Sequence, residues 1–204
     1  MKKTKPGWNG LAFGAELLSV LFGSFLLNLI PFAGPSNLLI ASNAALLVHT
    51  DPFTLGLLVA LGSASAKFIH YLVTFFVGGF LSKERREQLG KVNSRVGKWA
   101  FAALFIAAAT PIPDEPVIIP LGLMKYNPAK FCLAMFLGKI SITVPGAYLG
   151  QLGQSALSSL ITQEALIVLS LILTIAITII LLRIDITKTL RKTKRNNRTK
   201  TANP

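Results

Sequence analysis

Charge is scarce in this sequence, and negative charge most of all. Charged residues make up 14% of the 204 residues, whereas an ordinary soluble domain carries about 25%. Because 52% of the residues are hydrophobic, a disordered chain is excluded and a soluble domain is disfavoured. The 21 basic residues outnumber the 8 acidic ones, but a nucleic-acid-binding protein would not combine that excess with so apolar a chain. The composition therefore predicts an integral membrane protein without a nucleic-acid partner.

The sequence also has little of what enzymes and metal sites require. Cys132 is the one cysteine, and the two histidines, His49 and His70, are far apart in sequence. A disulfide framework or a metal cluster within the chain is therefore not expected. There is no Gly-rich phosphate loop, no His-Glu-x-x-His and no Gly-x-Ser-x-Gly, which are signatures of catalytic sites. We expect neither an enzyme nor a bound cofactor or metal.

Three apolar runs are long enough to cross a membrane, which takes a helix of about 17 to 25 residues. They predict transmembrane helices at 55–81, 131–149 and 165–182. The predicted membrane domain extends over 11–182, between a basic N-terminal segment at 1–10 and a basic tail at 183–204. The fold class is thus an all-α polytopic membrane protein, with an extra transmembrane helix at the C-terminal end.

Two further apolar regions are interrupted by prolines and glycines. The run at 99–124 breaks at the tip Thr110-Pro-Ile-Pro-Asp-Glu-Pro116, and each of its arms is too short to span. The run at 11–48 breaks in the same way between residues 31 and 37. Both patterns predict re-entrant hairpins, although Leu11–Ile30 is also long enough to cross fully. The residues that shape the two tips are Pro31, Gly34, Pro35, Pro111, Pro113 and Pro116.

The two halves of the sequence repeat at an offset of 76 residues, each as a broken hairpin followed by a transmembrane helix. The offset aligns prolines and glycines: Pro35 with Pro111, Pro52 with Pro128, and Gly62 with Gly138. Most basic residues lie in two blocks, 83–98 and 183–200, and the positive-inside rule places both on the cytoplasmic side of the plasma membrane. The two units then have opposite orientations, as in secondary transporters. The side of the N-terminus stays open.

Asp114 and Glu115 at the second tip are the main candidates for function. Ionised carboxylates at membrane depth are costly, and they usually mark a path for an ion, a proton or a substrate. The alternative is a tip that reaches water, where both carboxylates are simply solvated.

Polar side chains elsewhere in the predicted membrane domain form a second group of candidates. Lys67 and His70 share a helix face, and Lys139 follows the repeated glycine. We expect the lysines to bind an anionic headgroup or to pair with the tip carboxylates; alternatively, their long side chains reach the membrane interface. Asn37 and Asn43 either contact the ligand or satisfy the loop backbone near the first tip.

Several motifs resemble those of the DedA family of membrane proteins, which carry the VTT or SNARE-associated domain. They are Pro31-Phe-Ala-Gly-Pro-Ser-Asn37, the tip at 110–116, Pro120-Leu-Gly-Leu-Met124 and the run from Asn127 to Lys139. The resemblance covers roughly residues 20–150. It implies two facing re-entrant hairpins and the translocation of lipids, either polyprenyl-phosphate carriers or phospholipids, with proton dependence in some members.

The sequence departs from the better-known branch of that family at both tips. Many bacterial members have an acid at the first tip, where this chain has Ser36 and Asn37. They also have arginines around the second tip, where this chain has Thr110 and the Asp114-Glu115 pair. The departure puts a phosphate-clamping role of the second tip in doubt and favours coupling to protons or cations.

The resulting hypothesis is a transporter of a lipid or a lipid-linked phosphate, coupled to protons or cations through Asp114 and Glu115. Lys67 and Lys139 are the candidate headgroup contacts, and the expected partners are membrane lipids, a phosphorylated lipid carrier, and protons or cations. A coupled exporter of small solutes or cations is the first alternative, and a non-transporting scaffold whose basic tail docks a partner is the second. The substrate and the oligomeric state, a homo-oligomer included, stay open.

Overall fold

The computed structural model of the chain describes residues 6–32, 35–82, 97 and 99–157, and the isolated positions 162, 165, 168, 172, 175 and 176. In these residues the regular secondary structure is helical, which confirms the all-α prediction for this part of the chain. The helices are α1 (Pro6–Leu29), α2 (Asn37–Leu47), α3 (Pro52–Val77) with a 3₁₀ turn (Gly78–Phe80) at its end, α4 (Trp99–Ala108), α5 (Glu115–Leu123) and α6 (Pro128–Leu157).

Two helices in the described part of the chain are long and apolar enough to cross a membrane. They are Pro52–Phe80 and Pro128–Ala156, each of 29 residues with a mean hydropathy of 1.5. In the most apolar stretch of each helix, only 50% and 44% of the residues are buried. Large apolar side chains are therefore exposed on their outer faces, among them Val73, Phe76 and Leu152. An exposed apolar surface of this kind fits contact with lipid better than contact with water.

The two long helices, α3 and α6, begin with the same device. The Asp51 side chain accepts a hydrogen bond from the Thr54 N–H at 2.9 Å, and the Asn127 side chain accepts one from the Lys130 N–H at 3.1 Å. A proline follows each capping residue, which suits the first turn of a helix because no N–H is needed there. The helices start before the apolar runs at 55 and 131, since the cap and the proline decide where they begin.

α3 and α6 pack against each other as an antiparallel pair. Near the start of α3, Gly56 contacts Val144. Towards its end, the Tyr71 ring stacks on Phe131 with 4.2 Å between the ring centroids. Residues later in α3 therefore contact residues earlier in α6, so the two helices run in opposite directions.

The remaining helices form two hairpins, and the first arm of each packs on the long helix of its own repeat unit. α1 lies on α3 with Ser24 against Gly62, and α4 lies on α6 with Ala108 against Gly138. A Cβ at either glycine would overlap the facing side chain, so close packing of the arm requires glycine there. The two glycines are also a matched pair in the sequence repeat.

The second arm of each hairpin packs on the long helix of the other unit. α2 lies along α6, where Ser42 Oγ donates a hydrogen bond to Gly146 O at 2.7 Å. α5 lies along α3, where Gly122 meets Thr74 and Tyr71. Each hairpin thus straddles the α3–α6 pair, and the two tips face each other beside the middle of that pair.

The second tip is shorter than the proline pattern predicts. The sequence indicates a tip over 110–116, whereas α5 begins at Glu115 and includes Pro116 in its first turn. Proline is tolerated there because the first backbone N–H groups of a helix have no partner within it. α6 likewise continues through an internal proline, Pro145.

Several predicted segments lie outside the described residues, and the predictions for them stay predictions. They are residues 1–5 of the N-terminal segment, Gly34 at the first tip, the basic loop at 83–98 apart from Gly97, most of the span at 165–182, and the tail at 183–204.

Candidate functional site

The two hairpin tips and the middles of α3 and α6 enclose a cavity of about 50 Å³. This space holds a few water molecules at most. Each tip lines one part of the cavity, and the two long helices each contribute a lysine. The lining residues are Asn28, Phe32, Pro35, Ser36, Asn37, Lys67, Thr110, Pro111, Ile112, Pro113, Asp114, Glu115 and Lys139.

Four charged side chains meet at this cavity. Asp114 bridges the two lysines: its Oδ2 lies 2.5 Å from Lys139 Nζ, and its Oδ1 lies 3.3 Å from Lys67 Nζ. Lys67 also donates a hydrogen bond to Glu115 Oε1. The result is a continuous chain of alternating charges, Glu115–Lys67–Asp114–Lys139, with no formal net charge. We call these four residues the ion cluster.

The ion cluster is almost completely withdrawn from solvent. The exposed fraction is 6% for Lys67 and 2% for each of Asp114, Glu115 and Lys139. Taking an ion out of water costs several kcal/mol, and an ion pair offsets that cost only with good geometry and further hydrogen bonds. An arrangement this costly is a weak source of stability. Buried ionisable groups in an apolar protein are more typical of a functional site.

The first turn of α5 directs both carboxylates towards the lysines. Asp114 is the N-cap residue, where an aspartate usually accepts a hydrogen bond from a backbone N–H of the first turn. Its side chain makes no such bond. Instead, its backbone oxygen accepts from the N–H groups of Val117 and Ile118 at 3.0 and 3.1 Å. Pro116 removes a further backbone donor, so the carboxylate is left for the lysines.

The first tip contributes backbone and amide groups to the site. The Phe32 N–H donates to Glu115 Oε1 at 3.3 Å. Phe32 has a φ of 62°, in the left-handed region that residues other than glycine rarely adopt. The Asn28 amide donates to Asn37 Oδ1 and to Ser24 O, both at 2.9 Å. This pair ties the end of α1 to the start of α2 and holds the tip opposite Glu115.

One oxygen of the ion cluster lacks a partner. Glu115 Oε2 is buried and makes no hydrogen bond within the described structure, whereas Oε1 accepts from both Lys67 and the Phe32 backbone. A buried oxygen left unpaired carries the full cost of its desolvation. Glu115 therefore has an unused capacity to accept a hydrogen bond from a ligand or to bind a proton or a cation.

The cavity brings together most of the residues that the sequence singles out: Lys67, Lys139, Asn37, Asp114 and Glu115. His70 contacts α1 instead, with its Nε2 2.9 Å from Leu29 O. Asn43 donates to Leu39 O of its own helix at 2.8 Å. Neither of these two residues lines the cavity. Of the predicted tip prolines, Pro35, Pro111 and Pro113 line it, while Pro31 and Pro116 do not.

The two lysines are one helical turn out of register in the repeat. At the 76-residue offset, Lys139 corresponds to Ser63 and Lys67 to Thr143, and both of these partners are fully buried. Thr143 Oγ1 donates to Gly56 O across the α3–α6 interface at 2.8 Å. Two positions of the repeat thus carry a lysine in one unit and a buried hydroxyl side chain in the other. The site is therefore asymmetric, although the fold around it repeats.

Sequence reasoning missed the Phe32 backbone amide as part of the site. A backbone N–H has no residue preference of its own, and a phenylalanine gives no sign that its φ is positive. The only available signal was the proline and glycine content around it, which marks a turn but not the direction of its amide groups.

Comparison with known protein families identifies the family to which the chain belongs. The family model of the VTT domain matches residues 34–152, which is more than half of the chain. The chain belongs to the VTT domain family, the family of DedA proteins. The matched part of this VTT protein runs from just before α2 into α6 and contains the whole ion cluster. No curated protein and no solved structure matches the chain.

Family membership and the two long apolar helices together identify this VTT protein as a membrane protein. The family is not known to be enzymatic. Within the described residues, no group of three or more His, Cys, Asp or Glu side chains is placed to hold a metal ion. The charged groups that line the described site are the lysines and carboxylates of the ion cluster.

Proposed function

We propose that this VTT protein moves a lipid or a lipid-linked phosphate, such as a polyprenyl phosphate or a phospholipid, across the plasma membrane. The observation that carries the proposal is the buried ion cluster at the point where the two hairpin tips meet. Buried lysines can hold an anionic headgroup, and buried carboxylates beside them can exchange a proton or a cation.

The position of the ion cluster along the helices supports this function. Lys67 and Lys139 lie well inside α3 and α6, whose 26 and 30 residues extend over about 39 and 45 Å at 1.5 Å per residue. Both helices are longer than a hydrocarbon core of about 30 Å. The site then lies near the middle of the membrane, where transporters built from inverted repeats bind their substrates.

The hairpins support the same proposal because their second arms cannot cross a membrane. α2 has 11 residues and α5 has 9, about 17 and 14 Å of helix. The antiparallel arrangement of α3 and α6 favours hairpins that enter from opposite faces, while α1, with 24 residues, is long enough to cross fully. The predicted cytoplasmic location of the basic loop at 83–98 and the basic tail gives the orientation.

The deciding experiment is a flipping assay in vesicles that contain the purified protein. The probes are a fluorescent phospholipid and a fluorescent polyprenyl phosphate, each with and without a pH gradient. We expect lipid movement that Lys139→Met lowers by on the order of tenfold or more, because a buried charge contact is lost. The matched control is Lys130→Met, an exposed lysine of the same helix, which should leave the rate unchanged. Lipid movement equal to that of empty vesicles overturns the proposal.

Two observations favour the alternative of a coupled exporter of small solutes or cations. The cavity of about 50 Å³ and the unpaired Glu115 Oε2 suit a small cation better than a headgroup. The same vesicles, loaded with a cation-sensitive dye, separate the two functions. Cation flux without lipid movement supports the exporter, and the absence of both supports a scaffold.

A further inference from the structure

Asp114 occupies the place that an anionic substrate group needs. Its two oxygens are shared between two ammonium groups, one on each long helix, at 2.5 Å from Lys139 and 3.3 Å from Lys67. Two oxygens of a phosphate group would make the same pair of contacts. In this structure both lysines therefore already contact a carboxylate that belongs to the protein.

The cavity has no room for a headgroup beside that carboxylate. About 50 Å³ is open, and Lys67 and Lys139 are at most 6% exposed. A phosphate can reach both lysines only if Asp114 leaves them. Asp114 lies at the end of the α4–α5 tip, where its side chain makes no hydrogen bond to its own helix, so Lys67 and Lys139 are the contacts that hold its carboxylate in place.

Resting on the proposed function, we infer that Asp114 is an internal stand-in for the substrate. A phosphate group binds Lys67 and Lys139 by displacing the Asp114 carboxylate, and the α4–α5 tip moves out of the site with it. The site thus selects a phosphomonoester or phosphodiester anion over a neutral headgroup. When no substrate is bound, the Asp114 carboxylate contacts both lysines instead.

The exchange also explains why transport would be coupled. Once a phosphate holds the lysines, Asp114 and Glu115 have lost their counter-ions. A buried carboxylate without a partner is strongly unfavourable, so the displaced pair must reach water or take up protons or cations. Glu115 Oε2, which is already unpaired, is the first oxygen available for this purpose. The negative charge of the bound substrate is then compensated by the lysines, and that of the displaced carboxylates by the proton or cation that is taken up.

Direct binding to the full-length protein in detergent micelles tests this inference separately from transport. The probes are a short-chain phosphatidic acid and inorganic phosphate, which distinguish a lipid headgroup from free phosphate, with a neutral diacylglycerol as the control ligand. We expect Asp114→Asn to bind phosphatidic acid tighter than the unchanged protein by on the order of tenfold or more, because the competing carboxylate loses its charge. Tighter binding of inorganic phosphate alone would identify free phosphate as the ligand of the same site.

Two further variants test whether the effect is specific to the charge of Asp114 and whether it depends on Lys139. Glu16→Gln removes a negative charge from an exposed position of α1 and should leave the affinity unchanged. Asp114→Asn combined with Lys139→Met should bind more weakly than Asp114→Asn alone, because one of the two cationic contacts is gone. Affinity of Asp114→Asn that is equal to or lower than that of the unchanged protein overturns the inference.

A second measurement needs no variant and applies if Asp114→Asn does not fold. Hydrogen exchange of the Val117 and Ile118 amides, which bond to the Asp114 backbone oxygen, should speed up when phosphatidic acid binds the unchanged protein. Slower or unchanged exchange at these amides upon binding contradicts a displaced tip. If binding follows the expected pattern but vesicles show no lipid movement, the inference stands and the proposed transport function fails.

Discussion

The side chains of Asp114 and Lys139 form an ion pair at 2.5 Å in which each residue is only 2% exposed. Asp114 belongs to the second hairpin tip and Lys139 to a long helix, 25 residues away in sequence. The contact therefore links the tip between α4 and α5 to the long helix of the same repeat unit. Each partner is the main reason that the other can remain charged out of water.

The ion pair predicts a non-additive effect on stability. Asp114→Asn and Lys139→Met should each lower the free energy of unfolding by about 3–5 kcal/mol, because each leaves a buried charge without its partner. The double variant should cost clearly less than the sum of the two. Denaturant unfolding in mixed micelles measures all four proteins of the cycle, with Lys130→Met as the neutral control. Additive losses would show that the two side chains act independently.

The contact of α4 with α6 predicts a strict requirement for glycine at position 138. Gly138→Val should lower the unfolding free energy by about 3 kcal/mol, because a side chain there overlaps Ala108. Gly153→Val in the same helix has open space and should change it by less than about 0.5 kcal/mol. The comparison is made by thermal unfolding in one detergent. A similar loss at both positions argues against the close packing of α4.

The left-handed backbone of Phe32 predicts an unusual order of substitutions. Phe32→Asn should keep lipid movement, because asparagine tolerates positive φ and retains the N–H that Glu115 accepts. Phe32→Pro should abolish it, because proline fixes φ near −65° and has no N–H. The flipping assay at matched protein content gives the two rates. Equal rates for the two variants would mean that the amide contact has no role.

The opposite orientation of the two repeat units predicts a labelling pattern. In a Cys132→Ser background, Gly153→Cys should react with a membrane-impermeant maleimide in intact cells. Gly90→Cys, in the basic loop, should react only after the membrane is permeabilised. Neither position belongs to the ion cluster, so the substitutions should leave transport intact. Labelling of Gly90→Cys from outside reverses the predicted orientation.

The composition and spacing of the sequence were enough to predict the two long helices, α3 and α6, and to single out the charged residues of the ion cluster. Prolines at 111 and 113 end an apolar run wherever the chain folds, and a lysine within an apolar helix needs a partner wherever that helix packs. Such signals are local or follow from the cost of burying charge. They therefore apply before the tertiary structure is known.

The crosswise packing of the hairpins could not be predicted in this way. Nothing in the residues of α2 says that Ser42 will meet Gly146, 104 positions later, rather than the helix of its own unit. His70 shows the same limit. Its spacing from Lys67 places both residues on one helix face, yet the His70 side chain contacts Leu29 O of α1. These contacts depend on which helices pack against each other in three dimensions. The periodicity of apolar residues along the sequence does not specify those packing partners.

The crosswise packing also has a consequence for how the chain is made. α2 emerges from the ribosome long before α6, the helix it finally rests on, because 80 residues separate Leu47 from Pro128. During that interval its Ser42 hydroxyl lacks the Gly146 carbonyl that accepts from it in the finished protein. α5, by contrast, finds α3 already in place. The contacts of the first hairpin are therefore completed only after the second long helix has been synthesised.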